Sequence, residues 1–263
     1  MRNEKAIVRD FYEGFGWSTD STGTYNDTAA FVDLRPVLSS YYHDTQMRVG
    51  RFLKPTGRYF LDAGSGPVSQ PEYLLYSTNY RRRVCLDLSA RALADARNKL
   101  GGHGLYVRGD LANLPFREGS FDAVLCSHVL YHVPEDEQAG AVQELYRTLR
   151  NGGTCVVIYI WPTSLRSRRS GTASRLEPGG RATPPLYFHP HEYRWMKHIL
   201  PEHWKTEIRV WRSVGIGFTT RLIADNILGT VLLRIIYWLE EAFPHALARL
   251  GRYPMVLIQK TSG

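Results

Sequence analysis

The chain has 263 residues, a length that fits one α/β domain with additions and that can bury a substantial core. Its formal net charge of +8 permits a polyanionic partner without requiring one. The charged start, residues 1–5, is not followed by the apolar segment that a secretory signal needs. Cys85, Cys126 and Cys155 all fall in predicted core strands, which favours apolar packing in a reduced, cytoplasmic setting over thiol catalysis or metal binding.

Residues 1–57 precede the first predicted strand and are rich in aromatic side chains. We expect this segment to form a helical cap that lies over a binding pocket, excludes water and shapes the site for a substrate. Tyr25 and Tyr41 are the predicted substrate contacts within it. The alternative is that these rings only pack the cap onto the core.

Residues 61–69 predict a buried strand that runs into a glycine turn. Gly64 and Gly66 remove side chains where the backbone must approach a ligand closely, and Asp62 can support the turn. This turn alone does not identify the ligand, because nicotinamide and flavin enzymes use a similar loop.

Two further predicted strands end in carboxylates. Residues 83–89 form the second, and Asp87 near its end lies about twenty residues after Gly66, where an acidic side chain can accept hydrogen bonds from ribose hydroxyls. Ser89 is a predicted cap for the helix that follows. The third strand, residues 105–110, ends in Asp110.

A fourth strand over residues 121–126, a helix over 135–150 and a fifth strand over 154–160 complete the alternation of strands and helices. The nicotinamide fingerprint requires a third glycine where this chain has Ser69, and Asp110 has no role in such a site. Both observations disfavour a dinucleotide cofactor.

The ordered set of motifs resembles the class I S-adenosylmethionine-dependent methyltransferases, in particular the small-molecule branch called methyltransferase type 11. The matching segments are 62–66, Asp87, 109–110 with 114–116, 121–122 and 149–153, within residues 58–162. The resemblance implies an α/β, doubly wound, Rossmann-like sheet of seven mostly parallel strands with an antiparallel last strand. It also implies S-adenosyl-L-methionine as the cofactor.

By the same resemblance, the backbone of residues 64–66 cradles the methionine and ribose portion of the cofactor. Asp87 takes the ribose hydroxyls and Leu88 packs on the adenine, while Asp110 accepts from the adenine amino group with Leu111 beside the ring. The predicted cofactor contacts are therefore Asp62, Gly64, Ser65, Gly66, Asp87, Leu88, Asp110, Leu111 and Ser127.

Methyl transfer from an activated donor mainly requires that the acceptor be positioned and water excluded. A hydroxyl acceptor also needs a base, and His128 is the first candidate because it follows the fourth strand where the pocket should open. His132 is the second candidate, with a structural role as its alternative.

The chain beyond the fifth strand is predicted to decorate the pocket. Residues 162–185 read as a long basic loop in which Arg168 meets an anionic substrate group, unless the loop is only solvated. His189 is a further candidate substrate contact. His189, His191 and Glu192 lack the third ligand at clear spacing that a metal site would need, so we predict no metal.

Residues 220–243 form a strongly apolar helical insertion that is short for a membrane span. Core packing or a hydrophobic pocket wall is the favoured interpretation, and peripheral membrane contact or a dimer interface is the alternative. Residues 205–214 predict a sixth strand, and residues 253–260 predict a last, antiparallel edge strand inserted beside the fifth.

The sequence thus predicts a cap at 1–57 and a cofactor-binding methyltransferase domain at 58–263. The predicted enzyme methylates a small molecule, such as a natural-product, sugar, lipid or quinone intermediate, on oxygen, nitrogen or carbon, as a monomer or homodimer. Alternatives are an RNA or protein methyltransferase and a non-catalytic cofactor-binding protein. Residues 127–130 lack the Asn/Asp-Pro-Pro-Tyr/Phe run of enzymes that modify exocyclic amines, which disfavours a nucleic-acid partner.

Overall fold

The computed structural model describes residues 3–162, 171–173 and 183–261. Seven strands form the central sheet in the order β3-β2-β1-β4-β5-β9-β8, and β6 pairs only with β7. Along the described chain the strands are β1 (Gly57–Ala63), β2 (Tyr80–Asp87), β3 (Gly104–Arg108), β4 (Phe121–Ser127), β5 (Leu149–Ile158), β6 (Gly171–Ala173), β7 (Leu186–Phe188), β8 (Lys205–Arg212) and β9 (Tyr253–Gln259).

Strands β1 to β5 run parallel, whereas β9 runs antiparallel to both of its neighbours, β5 and β8. The predicted doubly wound sheet with an antiparallel last strand is therefore confirmed. One detail differs from the prediction: β9 lies inside the sheet, and β8 forms the edge beyond it.

Ten α-helices flank the sheet in the described chain. They are α1 (Glu4–Phe11), α2 (Asn26–Phe31), α3 (Ser39–Gly50), α4 (Pro71–Leu75), α5 (Ala90–Leu100), α6 (Gln138–Thr148), α7 (Tyr193–Ile199), α8 (Ile216–Leu222), α9 (Ile227–Ala242) and α10 (Pro244–Leu250). Ser89 caps α5 as predicted, because its hydroxyl accepts a hydrogen bond from the Ala92 N–H at 3.1 Å.

The central strands are apolar because helices cover both faces of the sheet. Six of the seven β4 residues are buried, and Leu61, Val124 and Val156 are fully inaccessible. The cysteines at 85, 126 and 155 are buried and unbridged, as expected for small apolar side chains.

Most of the apolar insertion lies outside the core. Seven apolar side chains of α9 are exposed, namely Ile227, Leu228, Val231, Leu232, Ile235, Trp238 and Leu239. Only one stripe of the helix is covered, where Leu233 packs with Leu38, Tyr41 and Ile223. The favoured prediction is core packing or a hydrophobic pocket wall; core packing is limited to this stripe, and no residue of α9 lines the cavity described below. Within the described ranges, no helix is long and apolar enough to cross a bilayer.

The predicted basic loop falls mostly on residues 163–170 and 174–182, which lie outside the described residues. Between these two ranges, β6 pairs with β7 in an antiparallel ladder, so this part is regular rather than irregular.

Candidate functional site

The carboxyl ends of β1, β2, β4 and β8 open into one cavity of about 1130 Å³. Strands β1 and β4 are neighbours in the sheet although the chain visits two other strands between them, which is the topological switch point where open α/β sheets bind ligands. All nine predicted cofactor contacts line this cavity, and so do His128 and His132.

The glycine turn is fixed by its backbone and by close protein neighbours. Gly64 and Gly66 have φ values of 75° and 53°, a region that favours glycine. A Cβ at Gly64 would lie 2.4 Å from Val129 Cγ2, and one at Gly66 would lie 3.0 Å from the Trp17 ring. The space that each glycine leaves is therefore occupied by another side chain of the protein.

Asp87 connects the glycine turn to the end of β2. Its Oδ2 accepts from the Gly66 N–H at 2.8 Å, and its Oδ1 accepts from the Ser89 N–H at 2.9 Å. Burial raises the pKa of Asp87 to about 6 in spite of these two hydrogen bonds. Each oxygen keeps a lone pair, so the carboxylate can still accept from ribose hydroxyls.

Asp110 is joined to the cap by an ion pair. The Lys5 ammonium of α1 lies 2.5 Å from Asp110 Oδ2 and also pairs with Glu137, while Asp110 Oδ1 accepts from the Ala112 N–H at 3.0 Å. The carboxylate assigned to the adenine amino group therefore already holds the first cap helix over this end of the cavity.

Asp62 has a structural partner inside the sheet. It pairs with the buried guanidinium of Arg83, which also donates to the Tyr73 carbonyl and so attaches α4 to β2. Trp17 stacks on Tyr12 with 4.9 Å between ring centroids, and its buried Nε1–H has no acceptor among the described residues. A glycine turn, two terminal carboxylates and an unpartnered donor together fit S-adenosylmethionine.

Residues 61–157 match the family model described as a methyltransferase domain. This match assigns residues 61–157 to a methyltransferase domain. A malonyl-[acyl-carrier protein] O-methyltransferase of Enterobacter lignolyticus is 36% identical over 109 residues, which are 41% of each chain. The tRNA (carboxymethyluridine(34)-5-O)-methyltransferase of Xenopus tropicalis is 43% identical over 134 residues, half of this chain and 20% of the other.

The match to the curated relatives is partial, since the chain spans about half of their length or less. A solved structure described as the DhpI–SAH complex aligns over all of both chains with a TM-score of 0.62 and 14% identity. At that identity the likeness concerns the fold, which agrees with the sheet described above.

The two predicted catalytic histidines of this methyltransferase domain have different surroundings. The His132 Nδ1–H must donate to the Tyr187 carbonyl at 2.7 Å, so its Nε2 accepts from the Tyr12 hydroxyl at 3.3 Å. Burial lowers the pKa of His132 to about 4, which keeps the ring neutral. His132 therefore holds the cap segment at Tyr12 and the strand at Tyr187 against the end of β4.

His128 adopts a left-handed backbone with φ of 61°, an unusual conformation for a residue other than glycine. Its ring lies 4.9 Å from the Trp211 ring and 5.6 Å from the Tyr253 ring, measured between centroids. Burial, followed by the positive charge of Arg212, lowers the pKa of His128 to about 3. The imidazole is neutral and faces the part of the cavity that the cofactor residues do not line.

Three of the four predicted substrate contacts, Tyr25, Tyr41 and His189, do not line the cavity. The Tyr25 hydroxyl donates to Asp95 at 3.2 Å, and the Tyr41 hydroxyl donates to Glu240 at 2.6 Å. His189 lies outside the cavity lining and pairs with Glu135 at 3.2 Å. Arg168 lies outside the described residues.

Asp27 and Arg212 line the cavity and were not predicted. Asp27 belongs to the short cap helix α2, and Arg212 is the last residue of β8. No sequence motif marks either residue. The position of Arg212 at the carboxyl end of a predicted strand was the one available signal, because those ends face the ligand side of the sheet.

Outside the cavity lining, His189, His191 and Glu135 bring their ligand atoms within 4.8 Å of one another. The glutamate of this group comes from the segment before α6, not from the Glu192 considered in the sequence. The His191 ring stacks on Trp195 with 3.8 Å between centroids, and burial lowers the pKa of His191 to about 4.

Proposed function

We propose that this protein transfers a methyl group from S-adenosylmethionine to a small-molecule acceptor. The observation that carries the proposal is that one cavity joins two sets of residues. The cofactor wing comprises residues 64–66, Asp87 and Asp110, and the acceptor wing comprises Asp27, His128, Trp211 and Arg212. A volume of about 1130 Å³ exceeds that of most drug-sized sites, so cofactor and acceptor can share it.

The cap supports a small acceptor over a macromolecular one. Helix α1 is attached to the cofactor wing by Lys5, and Tyr12, which follows α1, is attached to His132. These contacts place cap residues along the cavity and restrict access of water to it. A polymer substrate would need an open groove across this face.

When bound, the cofactor supplies a methyl group on a positively charged sulfur, ready for in-line displacement by a nucleophile. The protein's own part is to align the acceptor, exclude water and take up a proton if the acceptor atom carries one.

For the proton, we propose Asp27. No hydrogen-bond donor of the described residues contacts its carboxylate, although it lines the cavity near Tyr12, Tyr73 and Tyr131. Burial raises the pKa of Asp27 to about 7, close to the value that suits a general base. The predicted base His128 has its pKa lowered to about 3, so it is a much weaker proton acceptor in the ligand-free protein.

Transfer to tRNA is the second candidate, because one relative is named as a tRNA methyltransferase and the chain is basic. A non-catalytic protein that only binds the cofactor is the third. The residue-specific contacts of the cofactor wing do not separate these three functions.

One labelling experiment separates them. Purified protein is incubated with methyl-tritiated S-adenosylmethionine and, in parallel, with a deproteinised extract of small metabolites and with total tRNA. We expect transfer into the metabolite fraction, abolished in Asp87→Ala, with no label above background in tRNA. Label in tRNA alone would establish the second function, and cofactor binding without any transfer would establish the third.

A further inference from the structure

Arg212 is a buried cation without an acidic partner. Its side chain is 8% exposed, and the rings of Tyr42, Trp211 and Tyr253 lie 4.6 to 4.9 Å from its guanidinium carbon. No carboxylate of the described residues forms an ion pair with it. Burial acts to lower its pKa, and its polar partner among the tyrosines is Tyr253, through a side-chain hydrogen bond that stabilises the charged form. Burying an unpaired charge is strongly unfavourable, so a ligand anion at this place would stabilise the protein.

The carboxylate on the adjoining helix α9 is already engaged. Glu240 pairs with Arg48 at 3.1 Å and accepts from the Tyr41 hydroxyl at 2.6 Å. It also accepts from the Ser213 N–H at 2.6 Å, which fixes the backbone next to Arg212. Glu240 therefore positions the end of β8 without neutralising Arg212.

An irregularity in β8 brings a second donor to the same place. The pairing of β8 with β9 shifts register between Val210 and Arg212, a bulge that lets the consecutive residues Trp211 and Arg212 both line the cavity. Trp211 Nε1 and Arg212 Nε are both buried without an acceptor among the described residues. Two consecutive residues that line the cavity therefore each carry an N–H donor to which a ligand oxygen could bind.

The position of Arg212 separates it from the cofactor wing. In the sheet, β4, β5 and β9 lie between β1 and β8, whereas Asp87 and Asp110 follow β2 and β3 on the opposite side of β1. At a spacing of about 4.8 Å between strands, β8 is roughly 19 Å from β1. An anion at Arg212 therefore belongs on the acceptor side.

We propose that the acceptor carries an oxyanionic group, a carboxylate or a phosphate, that binds the guanidinium of Arg212 with the Trp211 indole N–H as a second donor. This inference rests on the proposed function. A guanidinium presents paired N–H groups that match the two oxygens of either anion, and a desolvated site strengthens such charge-assisted hydrogen bonds. The acceptor then has an acidic end at Arg212 and a reactive atom nearer the cofactor wing.

The test uses the full chain saturated with S-adenosylhomocysteine and two probes, sodium benzoate and inorganic phosphate. Each probe is titrated by calorimetry at constant ionic strength. A change in intrinsic fluorescence that disappears in Trp211→Phe is an independent signal. We expect saturable binding of one or both anions, weakened at least tenfold in Arg212→Gln and less in Arg212→Lys. The tighter of the two probes identifies the anion class.

Arg221→Gln is the matched control, because Arg221 is an exposed arginine of α8 and should leave both titrations unchanged. The proposal is overturned if neither anion binds saturably or if Arg212→Gln binds as tightly as the wild type. It is also overturned if Arg212→Gln and Arg212→Lys both lose S-adenosylhomocysteine, since Arg212 then serves the cofactor or the fold. A titration of the wild type with S-adenosylhomocysteine alone establishes whether it binds the cofactor. Anion titrations without S-adenosylhomocysteine then show whether the anion site forms independently of the cofactor.

Discussion

The two wings of the cavity differ in how many of their polar groups have a hydrogen-bond or ion-pair partner within the protein. In the cofactor wing, Asp87 accepts two backbone N–H groups and Asp110 pairs with Lys5. In the acceptor wing, Trp211 Nε1 and Arg212 Nε have no acceptor among the described residues, and burial raises the pKa of Asp27 with no hydrogen bond to lower it. The carboxylates of the cofactor wing are thus held by the protein, and only the Trp17 indole N–H beside Gly66 lacks a partner there, whereas both N–H donors named in the acceptor wing remain for a ligand.

The largest expected effect tests the acceptor wing. Asp27→Asn should lower kcat/KM by about 10² to 10⁴-fold because a general base is lost, while cofactor affinity stays unchanged. Wild-type kcat/KM should rise with pH and level off above about 7, as Asp27 loses its proton. Asp44→Asn, on an exposed aspartate of α3, is the control.

These rates are measured with the acceptor that the labelling experiment identifies. A profile that is flat above pH 4, with full activity in Asp27→Asn, would exclude Asp27 as the base. A loss of activity in His128→Ala would then assign the proton to His128, whose pKa is lowered to about 3.

The next effect tests the rigidity of the cofactor wing. Gly64→Ala should lower the free energy of unfolding by about 2 to 4 kcal/mol. The loss has two causes, because alanine is strained in the left-handed backbone conformation and its Cβ would collide with Val129. Gly119→Ala is the matched control, with φ of 64° and open space around it, and should cost only about 1 kcal/mol. Urea unfolding measures both, and equal losses in the two variants would refute the packing part of this explanation.

A third prediction concerns pH and cofactor affinity. Burial raises the pKa of Asp87 to about 6, and protonation turns one of its two acceptor oxygens into a hydroxyl donor. The Kd for S-adenosylhomocysteine should therefore increase about tenfold between pH 7 and pH 5, because binding favours the ionised carboxylate. Calorimetry across this range measures the shift, and an unchanged Kd would mean that Asp87 does not contact the cofactor.

The smallest effect concerns the attachment of the cap. Lys5→Ala removes a partly exposed ion pair with Asp110, an interaction worth up to about 1 kcal/mol, and should weaken cofactor binding by no more than about fivefold. Asp10→Ala, at an exposed position of the same helix outside the cavity lining, should have no effect. A loss much greater than fivefold would show that the cap is required to form the cofactor wing.

The two wings also differ in what the sequence could predict. The glycine turn, Asp87 and Asp110 were predicted because strand ends and local backbone fix them, and each lies within a few residues of its own strand. Tyr41 was assigned to substrate, but its partner Glu240 lies about 200 residues away and no local pattern indicates it. Arg212 lines the cavity at a bulge in β8, which no local pattern indicates. The exposure of α9 depends on how distant parts of the chain pack, which the sequence of the helix does not reveal.

The most direct test of the division into two wings is a crystal structure with S-adenosylhomocysteine bound. The account predicts ribose hydroxyls at Asp87, the adenine amino group at Asp110, and no atom of the ligand in contact with Arg212. A ligand carboxylate paired with Arg212 would contradict it, because that wing would then serve the cofactor and leave no anion site for the acceptor.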